Sequence, residues 1–145
     1  MLALLDVNVL VALAWPNHIH HARARAWFGD HREDGWATCS ITQGGFVRVS
    51  SNRTVIPEAR SPAEAIALLR QIVGLPGHVF LTDHVPLTTD EVVDPMRIVS
   101  YRQVTDAHLL TLAVCCESRL ATFDRGIPEL LPAKADRSQS VVLIP

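Results

Sequence analysis

Short apolar runs separated by helix-length amphipathic segments dominate the hydrophobic pattern of this chain. The first run, residues 2–5, is unbroken; it ends at the single carboxylate of Asp6 and is followed by a second apolar run over residues 9–14. A short run bounded in this way is typical of a strand buried on both faces, as in a parallel sheet. We therefore predict a strand over 2–5 and a helix after it, with Asn8 as the helix cap.

The same alternation continues to the end of the chain. Apolar runs bounded by turn residues predict further strands, and apolar positions spaced three or four apart predict helices. The predicted strands are residues 36–39, 78–81, 119–123 and 140–144, and the predicted helices cover about 20–29, a segment opening at 40–43, 61–74 and about 105–117. Strands alternating with helices imply an α/β fold with a parallel sheet and right-handed crossovers.

Two segments need separate comment. Ser40 and Gln43 have the spacing of a capping box, and the adjacent Gly44 and Gly45 weaken the helix that follows by about 1 kcal/mol each relative to Ala. We expect close approach of a neighbouring backbone or ligand to compensate.

The segment 83–100 is interrupted by prolines and predicts one or two short helices. Its acidic residues are expected on a solvated face or in first turns, and they are Asp90, Glu91 and Asp94.

Length and composition indicate one globular unit. A chain of 145 residues fits a single domain over 1–145, and 48% apolar with 19% charged residues excludes a disordered chain. The longest apolar run, Val9 to Trp15, is too short to cross a bilayer, and the N-terminal segment lacks the basic flank of a signal peptide. We expect a cytoplasmic protein with no membrane contact.

Charge and cysteine content bear on the possible contacts with nucleic acid and on the redox compartment. The net charge of −2 gives no broad basic surface, so any contact with nucleic acid must be local. The chain has three cysteines, Cys39, Cys115 and Cys116, without a Cys-x-x-Cys spacing. They are predicted to be buried free thiols in a reducing compartment.

Three carboxylates carry the candidate chemistry. Asp6 and Asp124 each follow a predicted strand, and Asp106 lies in the first turn of a helix, on the face that carries apolar residues. Because the carboxyl ends of parallel strands meet at one edge, the three would converge there, and like charges so close require a hard cation. Mg²⁺ or Mn²⁺ suits such oxygen ligands and would activate a water for phosphodiester hydrolysis. The alternative is three unrelated helix caps.

The histidines are the other possible metal ligands. His18, His20 and His21 form a cluster without accompanying cysteines or a regular helical pairing, so a solvated helix start is favoured over a zinc site. His108 lies two residues beyond Asp106 and is expected to face away from the carboxylates.

Three segments of the chain resemble the motifs of PIN-domain ribonucleases. They are LLDVNVL at 4–10, QVTDAHLL at 103–110 and LATFD at 120–124, and TQGGFVRV at 42–49 is similar to a segment that carries a Glu in the VapC toxin branch. The resemblance implies a PIN-like three-layer α/β/α sandwich around a five-stranded, mainly parallel sheet. It also implies a Mg²⁺ or Mn²⁺ site, endoribonuclease activity, a homodimer, and inhibition by a VapB-type antitoxin.

The resemblance assigns roles by motif match to three acids, and the other candidates follow from their positions in the sequence. Asp6, Asp106 and Asp124 would be the catalytic and metal-binding acids. Gln43, Thr122 and Asn8 are candidates for neutral side chains that act behind the ion. Arg48 and Arg53 are candidates for contacts with RNA phosphates. Surface salt bridges are the alternative role for the arginines, and an ordinary strand position is the alternative for Thr122.

Gln43 is the departure from the family pattern, because many members have an acid there. A neutral amide contributes no charge, so the affinity for metal would be lower or a second ion absent. This leaves a non-catalytic module that binds metal or RNA as an alternative function. A phosphatase of the haloacid dehalogenase type is less favoured, since its Asp-x-Asp motif would need an acid at Asn8.

Overall fold

The computed structural model describes residues 1–88 and 91–145. Five short strands form a single sheet in the order β3-β2-β1-β4-β5, and every pairing between neighbours is parallel. The strands are β1 (Ala3–Leu5), β2 (Trp36–Cys39), β3 (His78–Leu81), β4 (Arg119–Thr122) and β5 (Val141–Leu143). Each lies where the hydrophobic pattern predicts it, to within one or two residues at either end.

Helices connect successive strands. They are α1 (Val7–Ala14), α2 (His21–His31), α3 (Ser40–Ser50), α4 (Pro62–Val73), α5 (Val104–Cys115) and the single turn α6 (Arg137–Ser140). Short 3₁₀ turns occur at Arg32–Asp34, Pro95–Arg97, Tyr101–Gln103 and Ile127–Leu130. Helix α2 runs two residues further than predicted, and the 3₁₀ turns and α6 were not predicted, because segments this short carry no readable periodicity.

The sheet separates two hydrophobic cores. Leu4 of β1 packs on one face with the apolar side of α5 and with residues 127–131, whereas Ala3 and Leu5 pack on the other face. That second core contains buried side chains from α1, α2, α3 and α4. Successive side chains of a strand point to opposite faces, so an unbroken apolar run is what a strand between two helical layers requires. The predicted three-layer α/β/α sandwich is confirmed.

Helix α1 begins one residue after β1 ends. Its N-cap is Asp6, whose Oδ1 accepts a hydrogen bond from the backbone N–H of Val7 at 2.7 Å. The prediction that Asn8 caps this helix is therefore wrong. Asn8 lies within the first turn, which leaves its side-chain amide available for contacts outside the helix.

Helix α3 also begins earlier than predicted. Its N-cap is Cys39, and Thr42 rather than Gln43 closes the capping box, with Thr42 Oγ1 accepting from the Cys39 N–H at 3.0 Å. Gly45 has a packing reason: a Cβ there would stand 2.5 Å from Cγ2 of Val7 in α1. Gly44 has none, since nothing lies within 4 Å of the position its Cβ would take.

The connection between β3 and α5 is less helical than predicted. Among its described residues only the 3₁₀ turns occur, and Asp94 caps the first of them by accepting from the Met96 N–H at 3.0 Å. Glu91 is exposed as expected, while Asp90 lies outside the described residues.

The cysteines are free thiols, but the prediction that all three are buried is wrong. Cys39 is fully buried in β2, Cys116 is half-buried, and Cys115 is exposed at the end of α5. The adjacent pair diverges because consecutive positions near the end of a helix face different directions. No helix within the described ranges has the length and hydropathy needed to cross a membrane.

Candidate active site

The sheet places two of the predicted acids at its centre. The chain moves from β1 to β2 and β3 in one direction and then returns to β4 and β5 on the other side of β1. Open α/β sheets bind ligands where the strand order reverses in this way, beyond the carboxyl ends of the strands. Asp6 follows β1, and Asp124 lies two residues beyond the last residue of β4, so both stand at this switch point.

Asp6 is held by hydrogen bonds on both carboxylate oxygens. Oδ1 accepts from the Val7 N–H, and Oδ2 accepts from the hydroxyl of Thr122 at 2.7 Å and from the side-chain amide of Asn8 at 2.9 Å. The side chain is 6% exposed. Burial raises the pKa of Asp6 above its ordinary value, although the bonds from Thr122 and Val7 work against that rise.

Thr122 joins the two strand-end carboxylates. It is fully buried, donates to Asp6, accepts from the Asn8 amide at 3.0 Å, and accepts from the backbone N–H of Asp124 at 3.0 Å. Asp124 itself is exposed, and its Oδ1 accepts from the Gly126 N–H at 2.7 Å. One hydroxyl therefore fixes the side chain of Asp6 and the backbone that carries Asp124.

Asp106 borders the same crevice but belongs to α5, the helix that packs on the Leu4 face of the sheet. It is half-buried in the first turn of α5. Its pKa is raised to about 6, first by burial and then by the negative charges of Asp6 and Asp124. Asp124 also contributes to the raised pKa of Asp6. The three carboxylates thus lie close enough to influence one another electrostatically. Three unrelated helix caps would not be expected to do so.

A cavity of about 630 Å³ opens over these acids. Asp6, Asp106 and Asp124 line it together with Asn8. The rest of the lining comes mainly from α1, the loop after it and the connection between α3 and α4. Its apolar wall consists of Val11, Trp15, Ile19, Val55, Ile56 and Pro57, and its polar members are Asn17, His18 and Glu58. The connection between α3 and α4 thus contributes to the site, which the hydrophobic pattern did not indicate.

The donor set suits a hard divalent cation in chemistry but is not closed around one. Three carboxylates bordering one cavity, two of them with raised pKa values, favour a bound positive charge. Within residues 1–88 and 91–145, however, no three His, Cys, Asp or Glu side chains come close enough to form a ready metal site. An ion such as Mg²⁺, which keeps several waters, fits this spacing better than one requiring direct contact with every ligand.

The remaining predicted site residues do not line this cavity. Gln43 is half-buried, and its Nε2 donates to Thr38 Oγ1 at 2.9 Å. Arg48 and Arg53 are exposed, but each is close in sequence to a cavity residue, Val49 and Val55 respectively. Their contacts with an ion or with RNA stay predictions.

The three clustered histidines are half-buried rather than solvated as predicted, and His18 lines the cavity of the three acids. His18 Nδ1 accepts from the His20 N–H at 3.1 Å, and His21 Nδ1 lies 2.7 Å from the Ala12 carbonyl oxygen, so the cluster shapes the start of α2. His108 is buried, its Nε2 contacts Asp83 Oδ2 at 2.7 Å, and neither residue lines the cavity of the three acids. That contact lowers the pKa of Asp83.

A parallel sheet with carboxylates gathered at its switch point defines a class of α/β protein suited to cation-assisted phosphate chemistry. Comparison with models of known protein families found no match. Individual proteins do match: the chain is 49% identical to Ribonuclease VapC39 of Mycobacterium tuberculosis over 89% of its length and 93% of that protein. It is 56% identical to Ribonuclease VapC38 of the same species over 87% of both chains, and 48% identical to Ribonuclease VapC44 over 88% and 89%.

The fold also matches a solved structure, PAE2754 from Pyrobaculum aerophilum, with a TM-score of 0.54 and 22% identity over 96% of this chain and 81% of that one. At this identity the match concerns the fold alone. The chain belongs to the VapC family of PIN-domain ribonuclease toxins, as its three motifs predict.

Proposed function

We propose that this protein is an endoribonuclease that depends on Mg²⁺ or Mn²⁺ and cuts RNA at the cavity bordered by Asp6, Asp106 and Asp124. Membership of the family makes the protein an RNA-hydrolysing enzyme of the toxin class. The observation that carries the rest is that the three acids border one cavity at the switch point, where burial and neighbouring negative charge raise the pKa of Asp6 and Asp106. Carboxylates gathered in this way are stabilised by a cation, and RNA phosphate chemistry uses one.

The three acids would share the cation while the neutral residues hold them in place. A divalent cation supplies charge neutralisation at the phosphate and activation of the attacking water. Thr122 and Asn8 hold the Asp6 carboxylate in one orientation, and their hydrogen bonds oppose the rise of its pKa. We assign both the role of holding Asp6 in place behind the ion. Gln43 remains a candidate for the same role.

Cleavage of a defined RNA in the presence and absence of metal tests the proposal. We expect cleavage with Mg²⁺ or Mn²⁺, none with EDTA, and recovery when the ion is restored. Isothermal titration with Mn²⁺ on the same protein checks binding separately. Metal binding without cleavage would favour the non-catalytic module, for which the neutral Gln43 is the specific observation.

RNA contacts are proposed for Arg48 and Arg53. Both are exposed, and the cavity residues Val49 and Val55 follow them by one and two positions, so RNA entering the cavity would pass near both arginines. Replacing each with Gln should raise KM for RNA and leave kcat unchanged. An unchanged KM would assign them to the ordinary protein surface.

We further propose a VapB-type antitoxin that silences the enzyme by filling the cavity. An arginine fork paired with the three acids would replace the cation, and the apolar wall would take a hydrophobic side chain of the same segment. A purified complex should therefore bind Mn²⁺ far more weakly than the free protein. Equal affinity for Mn²⁺ in an inactive complex would contradict this mechanism.

A homodimer is also proposed. Met96, Val99 and Tyr101, just before α5, are 86%, 84% and 81% exposed, which is unusual for large apolar side chains that have no partner. Val99→Asp should convert a dimer to a monomer in light scattering, and a wild-type monomer would contradict the proposal.

A single domain over 1–145 and a cytoplasmic location stay predictions. A single unfolding transition would support the single domain.

A further inference from the structure

A second cavity is bordered by Phe123 and Arg125, the residues on either side of Asp124. Its volume is about 580 Å³, and it is formed by α2, the residues after β4 and the segment after β5: His20, Arg23, Phe123, Arg125, Ile144 and Pro145. Phe123 immediately precedes Asp124, and its backbone N–H donates to the side-chain oxygen of Asn8 at 3.3 Å. The cavity and the proposed catalytic acids therefore share one short segment of chain.

The floor of this cavity is an ordered aromatic stack. The rings of His20 and Phe123 are nearly parallel, with an interplanar angle of 20° and centroids 4.6 Å apart. Both side chains are half-buried, so part of the stack is open to the cavity. A flat π surface of this kind, held in place before any ligand arrives, loses little conformational entropy when a second flat group stacks against it.

Arg23 fixes the stack in place. Its guanidinium carbon lies 5.3 Å from the centre of the Phe123 ring, and its NH1 lies 3.1 Å from His20 Nδ1. It also donates to the carbonyl oxygens of Ile144, at 3.1 Å, and Pro145. These bonds use most of its donors within the protein, so Arg23 is a positioning residue.

Arg125 provides the cation that remains available. It is exposed, it borders the cavity, and it makes no side-chain hydrogen bond or ion pair to any residue in the described ranges. An arginine there offers a bidentate contact to an RNA phosphate, which the neighbouring carboxylates would otherwise repel. Aromatic faces combined with a nearby arginine are what single-stranded nucleic acid requires of a binding surface.

We propose that this cavity holds a nucleotide of single-stranded RNA adjacent to the phosphate being cut, with its base packed against the exposed side of the His20–Phe123 stack and its phosphate bound by Arg125. The proposal rests on the proposed ribonuclease function, whose substrate it positions. An acidic peptide would use the arginine but gain little from the aromatic stack. A nucleobase uses both, because every base has a π face.

Fluorescence anisotropy with a short, unstructured, fluorescein-labelled oligoribonucleotide tests the site, in EDTA so that the probe is not cut. Phe123→Leu keeps the packing volume but removes the ring, and we expect roughly tenfold weaker binding with an unchanged salt dependence. Arg125→Gln should weaken binding and lower the slope of log Kd against log salt by about 0.7, the value for one phosphate contact on a single strand.

Matched variants control for both changes. Phe80→Leu removes an exposed ring from β3, at the opposite edge of the sheet, and Arg70→Gln removes an exposed charge from α4. Both should bind the probe as the wild type does. Arg125 is exposed and its replacement does not threaten folding, so it decides the matter if Phe123→Leu lowers the melting temperature.

The results separate this proposal from the ribonuclease function. Wild-type affinity in both Phe123→Leu and Arg125→Gln overturns the docking site and leaves the cavity to another partner, even if the protein cuts RNA. Weakened binding in both supports it, even if no cleavage is found. In cleavage assays with Mg²⁺, the two variants should raise KM and keep kcat; a fall in kcat at unchanged KM also overturns the proposal.

Discussion

Two buried threonines flank the central strand, and their surroundings differ in charge. Thr122 in β4 donates to the carboxylate of Asp6 and accepts from Asn8, whereas Thr38 in β2 accepts from the amide of Gln43 and lies 2.8 Å from His78 Nε2. Both are fully buried, and both strands pair with β1. We call the first group, Asp6, Asn8, Thr122 and Asp124, the acidic cluster, and the second, Thr38, Gln43 and His78, the neutral chain.

The position of the strand-order reversal explains the difference. The acidic cluster lies between β1 and β4, where neighbouring crossovers diverge and leave a crevice open for a ligand. The neutral chain lies between β2 and β3, on the side where consecutive crossovers run in one direction. Burial lowers the pKa of His78, which keeps this chain uncharged near neutral pH. The same residue type at the same depth thus supports a carboxylate in one place and a neutral network in the other.

The largest expected effect comes from neutralising each of the three acids that line the cavity of about 630 Å³. Asp6→Asn, Asp106→Asn and Asp124→Asn should each lower cleavage by more than about a hundredfold, because each deprives the cation of a charged ligand at constant volume. Cleavage assays with circular dichroism as the folding check measure this. Asp30→Asn, on the exposed surface of α2, is the control. Cleavage retained in all three variants would return these acids to the role of helix caps.

Replacing the two threonines compares the two networks directly. Thr122→Val removes the hydroxyl that donates to buried Asp6, and we expect a loss of about 1 to 3 kcal/mol in the free energy of unfolding and a roughly 10- to 100-fold higher metal requirement. Thr38→Val should cost similar stability and leave the metal requirement unchanged. Urea unfolding and Mn²⁺ titration of cleavage test both. Equal metal requirements in the two variants would remove Thr122 from the site.

Neutralising Asp106 should stabilise the protein without metal. The folded-state pKa of about 6 lies above the ordinary 3.8, so the folded protein holds a proton there that the unfolded chain has released, and stability falls as pH rises through this window. Asp106→Asn avoids that loss and should gain about 1 to 2 kcal/mol at neutral pH, discounted for solvent screening.

Urea unfolding in EDTA near pH 4 and near pH 7 measures the effect. The difference between wild type and Asp106→Asn should be small at the lower pH and reach its full size above pH 6. A variant that is less stable than the wild type at both values would show that Asp106 is needed as a cap. Asp30→Asn again serves as the control, since its carboxylate lies outside the cavity.

The smallest expected effect belongs to Gln43→Glu. Thr38 can donate to the new carboxylate while His78 donates to Thr38 through its other tautomer, so the neutral chain rearranges at a cost below about 1 kcal/mol. Because Gln43 does not line the acidic cavity, we expect metal affinity to change less than about threefold. A tenfold tighter affinity for Mn²⁺ would place Gln43 behind the ion, as the family pattern implies.

The sequence alone determined the order of the elements and singled out the three acids that the structure brings to one cavity. Unbroken apolar runs have only one stable environment, between two helical layers, so β1 and its neighbours could be predicted from composition and spacing. The positions of Asp6 and Asp124 follow from the strands they terminate. Asp106 could be found because helical spacing fixes which face of α5 it shares.

Tertiary structure decided which polar groups meet, because hydrogen-bond partners far apart in the sequence leave no periodic signal. Asn8 and Thr122 are separated by 114 positions, and Gln43 bonds to Thr38 rather than capping its own helix. The same holds for the cavity wall from residues 55–57 and for the stack of His20 on Phe123. Local propensities specify where a helix begins, but only the packing of crossovers on the sheet specifies what its first turn faces.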